Sequence, residues 1–555
     1  MLKKNISRET FGTLEPKAEE ALENLLNECR RCKADQSAES LRQKDRVGFI
    51  KGIVFLFLFP PELLYFFSSF FLFLIIFLER KITVEKIIDV IYNAVCGINT
   101  YLSNYILVIL LVGCGIMFSI RTKFVQVRCF GEGMKSVFGN FKLRGGKQSG
   151  GLSSFQALAT AIAAQVGTGN IVGACGAILV GGPGAIFWMW IIAFFGMATI
   201  YAEAVLAQET KVVDEKGNVA GGPVYYIRHA FKNKFGNLLA TFFAVAITLA
   251  LGFMGSMVQS NSIANACSSA FNVPNWIIGL AVAVIAGFIF LGGVQRIASV
   301  TEKLVPIMAG LYLVGGIVIL VCRAKYIPET LGMIFKFAFA PQAILGGGFG
   351  AAIAAAITQG VKRGPFSNEA GMGSTPHAHA LAKVDNPHEQ GVVAVIGVFI
   401  DTFVVLTMTA LIVISTLYTG NGALAEIAKG GASDFAASAA ELGVTKNNMV
   451  QAAFQSLLGD SIGGIFVAVC LLFFAFSTIL SWNYFGKINF QYLFGKKATF
   501  VYSIVALVFV FFGSVLSSDL VWELADMFNN LMVIPNVIAL VALSGIVAAA
   551  AKKRK

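Results

Sequence analysis

Glycines, a proline and three charges interrupt an apolar run at Gly360-Val361-Lys362-Arg363-Gly364-Pro365-Phe366-Ser367-Asn368-Glu369-Ala370-Gly371-Met372-Gly373-Ser374. The preceding segment, Ile344 to Thr358, is apolar enough to enter a bilayer. Main chain that leaves a helix at membrane depth is tolerated only where protein or a cavity surrounds it, because each unpaired N–H or C=O costs several kcal/mol in hydrocarbon. The first reading is therefore a discontinuous helix at a binding site; the second is a re-entrant or structural loop. A comparable interruption lies at Ala163-Ala164-Gln165-Val166-Gly167-Thr168-Gly169-Asn170-Ile171-Val172-Gly173. A helix that restarts after such a gap directs free N–H groups and its positive dipole end at it, which suits a carboxylate. Thr168, Gly169 and Asn170 supply that end from the first break, and Gly371 and Gly373 bring backbone close from the second. The freed carbonyls opposite suit an ammonium or a dehydrated Na⁺. An amino-acid zwitterion needs both. Asn170 and Asn368 carry amides able to serve either end, and each equally fits a helix cap.

A sodium ion needs several oxygens and no deprotonation step. Carbonyls near Ala163 and Val166, with the hydroxyls of Ser477 and Thr478 from the apolar run Cys470 to Trp482, can form such a cage; the competing role of a membrane Ser or Thr is to bond back to its own helix. Trp482 lies one turn beyond Thr478 on the same face, where it walls a pocket or serves as an interfacial anchor. Gln259 offers a polar contact to a ligand or an interhelical hydrogen bond, and Phe253 an apolar wall or plain packing. Ionisable residues within the apolar runs are Glu203, Lys362, Arg363, Glu369 and Asp401, and intramembrane charge is a functional hypothesis by default. Glu369 is expected to pair with Arg363 or Lys362 and hold the break open. Asp401 is a proton or cation relay, or a neutral hydrogen-bonded acid. His377 and His379 are two apart and so on different helix faces, while Cys29 and Cys32 form a CxxC pair with no second pair or nearby histidine to complete a zinc site. Neither predicts a resident metal, and no cofactor is expected beyond a coupling ion.

The elements that must position these residues are membrane helices. The chain has 555 residues, 56% hydrophobic and 13% charged, where a soluble chain carries about a quarter charged. That balance belongs to an all-α polytopic membrane protein. The net charge of +12 sits between apolar runs, as the positive-inside rule explains, and nucleic acid is not an expected partner; membrane lipid is. Residues 1–51 read as a cytoplasmic extension and 52–78 as an extra span, while 84–120 combine an amphipathic segment with a further span. The basic loop from Arg121 to Lys147 is then cytoplasmic. Ten spans follow, near 152–179, 181–208, 237–266, 275–292, 300–322, 344–382, 388–418, 458–485, 498–517 and 525–549, against the roughly 20 residues a crossing needs. The basic tail, 550–555, falls inside.

Ten spans divide into five and five, 152–322 and 344–549, and the first of each five is the one broken by glycine. Five is odd, so the halves enter the membrane with opposite orientation, which predicts inverted repeats sharing a midplane site. The competing reading of Gly167, Gly169 and Gly173 is close helix packing. A channel would need a polar ring that the sequence does not show outside the breaks. No nucleophile elbow, HExxH or clustered carboxylate pair marks an enzyme.

The segments Ile120-Arg121-Thr122-Lys123-Phe124-Val125-Gln126, Gly167-Thr168-Gly169-Asn170-Ile171, Gly181-Gly182-Pro183-Gly184-Ala185-Ile186-Phe187-Trp188-Met189-Trp190, Gly221-Gly222-Pro223-Val224-Tyr225-Tyr226 and Lys362 to Gly371 resemble the alanine or glycine:cation symporter family from about Val84 to the C-terminus. The resemblance implies a LeuT-type 5+5 inverted-repeat bundle in the inner membrane and Na⁺-coupled uptake of alanine, glycine or similar small neutral amino acids. It also implies that Thr168, Gly169 and Asn170 with the Ser367 to Gly371 segment cradle the substrate backbone, that Trp482 shapes the pocket and that Thr478 lies at the Na⁺ site. The family ordinarily has eleven spans and an outside N-terminus. Residues 1 to about 82 lie beyond the resemblance, as a regulatory or partner-binding addition or as an upstream reading frame joined by a wrong start.

Overall fold

The computed structural model describes residues 81–139, 152–213, 215, 219–339, 349–430 and 435–552. The expected extension 1–51 and span 52–78 lie outside them. The described chain is helical apart from a two-stranded hairpin pairing Val212 with Ala220 and Val213 with Val219. In chain order the helices that matter here are α1 (Lys81–Tyr101), α2 (Leu107–Arg121), α3 (Phe130–Phe138), α4 (Ser154–Gln165), α5 (Gly169–Gly181), α6 (Gly184–Glu209), α7 (Lys234–Phe271), α8 (Asn275–Phe290), α9 (Gly293–Cys322), α10 (Phe349–Asn368), α11 (Pro376–His379), α12 (Pro387–Tyr418), α13 (Asp460–Phe494), α14 (Thr499–Gly513) and α15 (Ser518–Ala542).

Among the described residues seven helices are long and apolar enough to cross a membrane, eight when α4 and α5, bent by 45° at their break, count as one span. Helix α8, over the expected span 275–292, has 16 residues, and α10 ends in a turn rather than crossing as one rod. Apolar side chains on α8 and α9 such as Phe288, Val314 and Val321 are exposed, the surface a helix presents to acyl chains. Helices α6, α7, α12 and α13 are by contrast buried over 61–67% of their apolar windows and form the interior.

Local sequence explains where α4 begins and ends. Ser153 and Gln156 form a reciprocal capping box, Oγ accepting from the Gln156 N–H at 3.1 Å and the Gln156 side chain accepting from the Ser153 N–H at 3.2 Å, which satisfies two donors at the helix start. The helix stops at Val166, whose backbone (φ −79°, ψ 88°) has left the helical region. The chain resumes as a wide turn over Gly169–Gly173 before α5 straightens.

The second break differs from expectation in position. Helix α10 runs through Gly360, Gly364 and Pro365 to Asn368, so the interruption begins nine residues later than the sequence pattern placed it. Gly360 serves packing, since a Cβ there would meet the Ala185 carbonyl at 3.1 Å and the Trp188 side chain. The chain turns at Glu369 (φ 58°), Gly371 (φ 86°) and Gly373 (φ 80°). Left-handed backbone is natural for the two glycines and unusual for a glutamate, so Glu369 must be held there by its side-chain bonds.

Candidate functional site

The two breaks touch. A Cβ on Gly169 would lie 2.9 Å from Ser367 Cα and 3.2 Å from the Phe366 carbonyl oxygen. Gln165 Nε2, at the last turn of α4, donates to the Asn368 carbonyl at 2.8 Å, and its own Oε1 is buried without a hydrogen-bond partner. Asp401 on α12 joins the two. Its carboxylate accepts from Asn170 Nδ2 (2.6 Å), from Ser367 Oγ (3.0 Å) and from its neighbour Thr402 Oγ1 (2.8 Å). Asn368 Nδ2 donates to Thr402 Oγ1 at 3.2 Å, and Asn170 Oδ1 accepts from the Gly167 N–H at 3.0 Å. Both asparagines therefore link their breaks to α12, and Asn170 also holds the main chain of its own break. Gln259 Oε1 accepts from the Thr168 N–H at 3.1 Å, which leaves the Thr168 hydroxyl buried without a hydrogen-bond partner in the protein.

On the other side of the first break, Thr478 Oγ1 donates to the Ala163 carbonyl at 2.9 Å and lies 3.1 Å from the Phe474 carbonyl. Ser477 Oγ reaches Phe474 O at 2.8 Å and Ala163 O at 3.4 Å. Gly167 packs on this group: a Cβ there would collide with the Thr478 hydroxyl. The structure thus brings Ala163, Ser477 and Thr478 together beside Val166, whose carbonyl no longer follows the helix axis. This is an oxygen-only, uncharged donor set suited to a hard monovalent cation.

Three carboxylates, Glu203, Glu369 and Asp401, are fully buried, and one expectation about them fails. Glu369 pairs with neither Arg363 nor Lys362; it accepts from Ser374 Oγ and from the Trp482 indole N–H. Trp482, besides walling the site edge-on to Phe366 at 6.0 Å, thus ties α13 to the turn after α10. Arg363 and Lys362 lie on the opposite side of α10's last turns and bind Asp526 on α15 at 3.0 and 2.8 Å, with Glu523 3.5 Å from Lys362. The reason is geometric: a glutamate turned into left-handed backbone leaves the helical face its upstream neighbours occupy. Asp526 escaped the sequence reading, although an acid inside the expected span 525–549 was a signal for it. Removing it leaves Arg363 without its carboxylate and Lys362 with only the more distant Glu523, in a site where the two side chains are only 10% and 13% exposed. Asp526→Ala is expected to cost about 3 kcal/mol of stability, read as a lowered midpoint of thermal unfolding in detergent.

Two further expectations are displaced. The Gly371 N–H and carbonyl are engaged, the first by Glu203 Oε2 at 3.1 Å and the second by Asn536 Nδ2 at 2.9 Å, so Gly371 shapes the turn instead of offering free backbone to a ligand. Glu203 also accepts from the Gly373 N–H at 2.9 Å and from Asn536 at 2.6 Å. Phe253 packs against Tyr502 and Phe509, with ring centroids 5.5 and 4.8 Å apart. Those rings form a separate small apolar cluster.

Two interrupted helices meeting around buried polar groups inside an all-helical polytopic bundle are an arrangement characteristic of secondary transporters. The structure of MhsT in complex with L-phenylalanine matches with a TM-score of 0.54 over 74% of this chain and 94% of that one, at 14% identity, a likeness of fold alone. Residues 88–554 match the sodium:alanine symporter family. The sodium/alanine symporter AgcS of Methanococcus maripaludis is 41% identical over 456 residues, 82% of this chain and 95% of that protein. A protein of Bacillus subtilis named "Probable sodium/glutamine symporter GlnT" is 39% identical over 455 residues, 82% and 88% of the two chains. The chain belongs to the sodium:alanine symporter family. It is therefore a multi-pass membrane transporter and not an enzyme.

Proposed function

We propose that this protein couples Na⁺ entry to uptake of a small neutral amino acid, alanine or glycine, by alternating access. The observation that carries the reading is the contact between the two breaks, with the Ala163, Ser477 and Thr478 oxygens immediately beside the first of them. In this reading Thr168, Gly169 and Asn170 with Ser367 and Asn368 hold the substrate's carboxylate and ammonium. The carbonyls of Ala163 and Val166 hold Na⁺ together with Ser477 and Thr478 once these two hydroxyls turn from carbonyl to ion. Trp482 limits the substrate side chain, because its ring is pinned by Glu369 on one side and packs so closely on Gly255 that a Cβ there would lie 2.6 Å from its Cε3.

Na⁺ bound at the Ala163 carbonyl orders the chain that leads into Thr168 and Gly169, so it raises substrate affinity. Linkage requires the substrate to raise Na⁺ affinity by the same factor. The names of AgcS and GlnT point to alanine and glutamine respectively; the pinned Trp482 favours the smaller ligand here. A second reading, coupling to H⁺, rests on Asp401, a buried acid bonded to both breaks.

Uptake of labelled alanine into proteoliposomes separates these readings. Accumulation that follows an inward Na⁺ gradient supports Na⁺ symport, accumulation that follows a pH gradient and ignores Na⁺ transfers the coupling to Asp401, and no accumulation removes both. Thr478→Ala is expected to raise the Na⁺ concentration for half-maximal uptake roughly tenfold, about 1.4 kcal/mol, with alanine affinity recovered at saturating Na⁺. An unchanged Na⁺ dependence would place the ion elsewhere.

A further inference from the structure

Away from the two breaks, at the start of α3 and of α12, the structure assembles a thiol, a carboxylate and an imidazole. We infer that Cys129 Sγ, a Glu132 carboxylate oxygen and His388 Nε2 form a binding site for a thiophilic divalent cation of the Zn²⁺ class. One ligand atom from each residue lies within 4.8 Å of the other two. A tetrahedral zinc with bonds of about 2.0–2.3 Å spaces its ligand atoms about 3.3–3.7 Å apart. His388 Nε2 and Glu132 Oε1 already stand 3.3 Å apart, so closure requires the sulfur to move by at most about 1.5 Å.

The three residues come from segments that packing holds together. Cys129 precedes the first residue of α3 and Glu132 is its third, so the two project to the same side three residues apart. Gly133 lets α3 lie directly on α12, since a Cβ there would meet the Val392 carbonyl at 2.7 Å. His388 is the second residue of α12, fixed by the Asn386 side chain, which accepts from the His388 N–H at 3.0 Å. Cys129 and His388 are 1% and 2% exposed. The Glu132 side chain is 34% exposed, and that open side admits water as a fourth ligand.

The imidazole is oriented for the task. Tyr201 of α6, itself fully buried, bonds His388 Nδ1 through its hydroxyl at 2.6 Å. When Nδ1–H donates to that oxygen, the Nε2 lone pair faces Glu132 and Cys129; outer partners of this kind set the tautomer of metal-bound histidines. Nε2 is buried and makes no aligned hydrogen bond despite its nearness to Glu132. The neighbouring cation Arg128 donates to the carbonyls of Thr122 and Ala551 at 3.2 and 3.0 Å. On binding, the thiol releases its proton to solvent as the metal–sulfur bond forms. Occupancy would tie α3 to the helix that carries Asp401.

The test uses the full chain, purified in detergent, stripped with chelator and titrated with Co²⁺. The expected result is a thiolate-to-cobalt charge-transfer band with the intense visible bands of a tetrahedral site, displaced by one equivalent of Zn²⁺. Cys129→Ser should remove the charge-transfer band, and Glu132→Gln and His388→Gln should each raise the Kd at least tenfold. Tyr201→Phe should keep the band and raise the Kd about tenfold, the cost of losing an outer partner. X-ray absorption on the unmutated zinc-loaded protein reads the ligand set without any variant and should show one sulfur among nitrogen and oxygen neighbours. Absence of a band, a band that persists in Cys129→Ser, or a zinc shell with no sulfur or with several would overturn the assignment.

Discussion

Asp401→Ala is expected to lower Na⁺-driven alanine uptake at least about 100-fold, roughly 2.8 kcal/mol, without loss of folded protein from the membrane. The carboxylate accepts from Asn170 in the first break, from Ser367 at the edge of the second and from Thr402 beside it. Truncation leaves three buried donors without their acceptor, and each such group costs about 1–3 kcal/mol. They will find other partners, and the Asn170 and Ser367 side chains can do so only by moving the segments proposed to hold the substrate. Asp401→Asn keeps the shape and one acceptor oxygen, but turns an NH₂ toward groups that also donate, so a partial loss of about tenfold is expected. Measuring uptake at saturating Na⁺ for both variants checks the argument. Rates within twofold of the parent protein for Asp401→Ala would show that the bridge between the breaks does not matter for transport.

Gly169→Ala is the second large effect. Its new methyl group would stand 2.9 Å from Ser367 Cα and 3.2 Å from the Phe366 carbonyl oxygen, and both are main-chain atoms that cannot rotate away. Either the breaks separate or α5 shifts, and in both cases groups proposed to grip one small ligand lose their common centre. Misplacement on the scale of 1 Å costs about 100-fold in systems that depend on positioning, and a loss of that order in uptake is expected. Gly364→Ala is the internal control. It lies on the same helix as Ser367, but a Cβ there first meets Ile192 Cγ2 at 3.4 Å, an ordinary contact, so uptake near that of the parent protein is expected. Equal losses in both variants would mean that any added methyl on these segments is harmful and that the close approach at Gly169 carries no special role.

How far the site could be read in advance depends on the range of the interaction. The first break was legible because its cause is local: glycines at 167, 169 and 173 within an apolar run weaken a helix wherever it is placed. The second was legible as a break but misplaced, because Gly360 and Pro365 read as helix breakers, whereas packing against α6 keeps the helix running to Asn368. The charges were legible as costly and their partners were not. Arg363 and Asp526 are 163 positions apart, and Trp482 and Glu369 are 113 apart, so no spacing rule could have matched them.

Apolar length and glycine placement are properties of a few neighbouring residues, and on their own they determined that this is an all-helical membrane protein with two interrupted helices; the LeuT-type fold was implied by the resemblance of its motifs. Which carboxylate faces which donor was decided by the tertiary structure alone. It depends on the rotation of each helix about its axis, and a left-handed turn at a single residue, Glu369, moves a charge from one face of α10 to the other. That rotation is set by packing among helices distant in the chain.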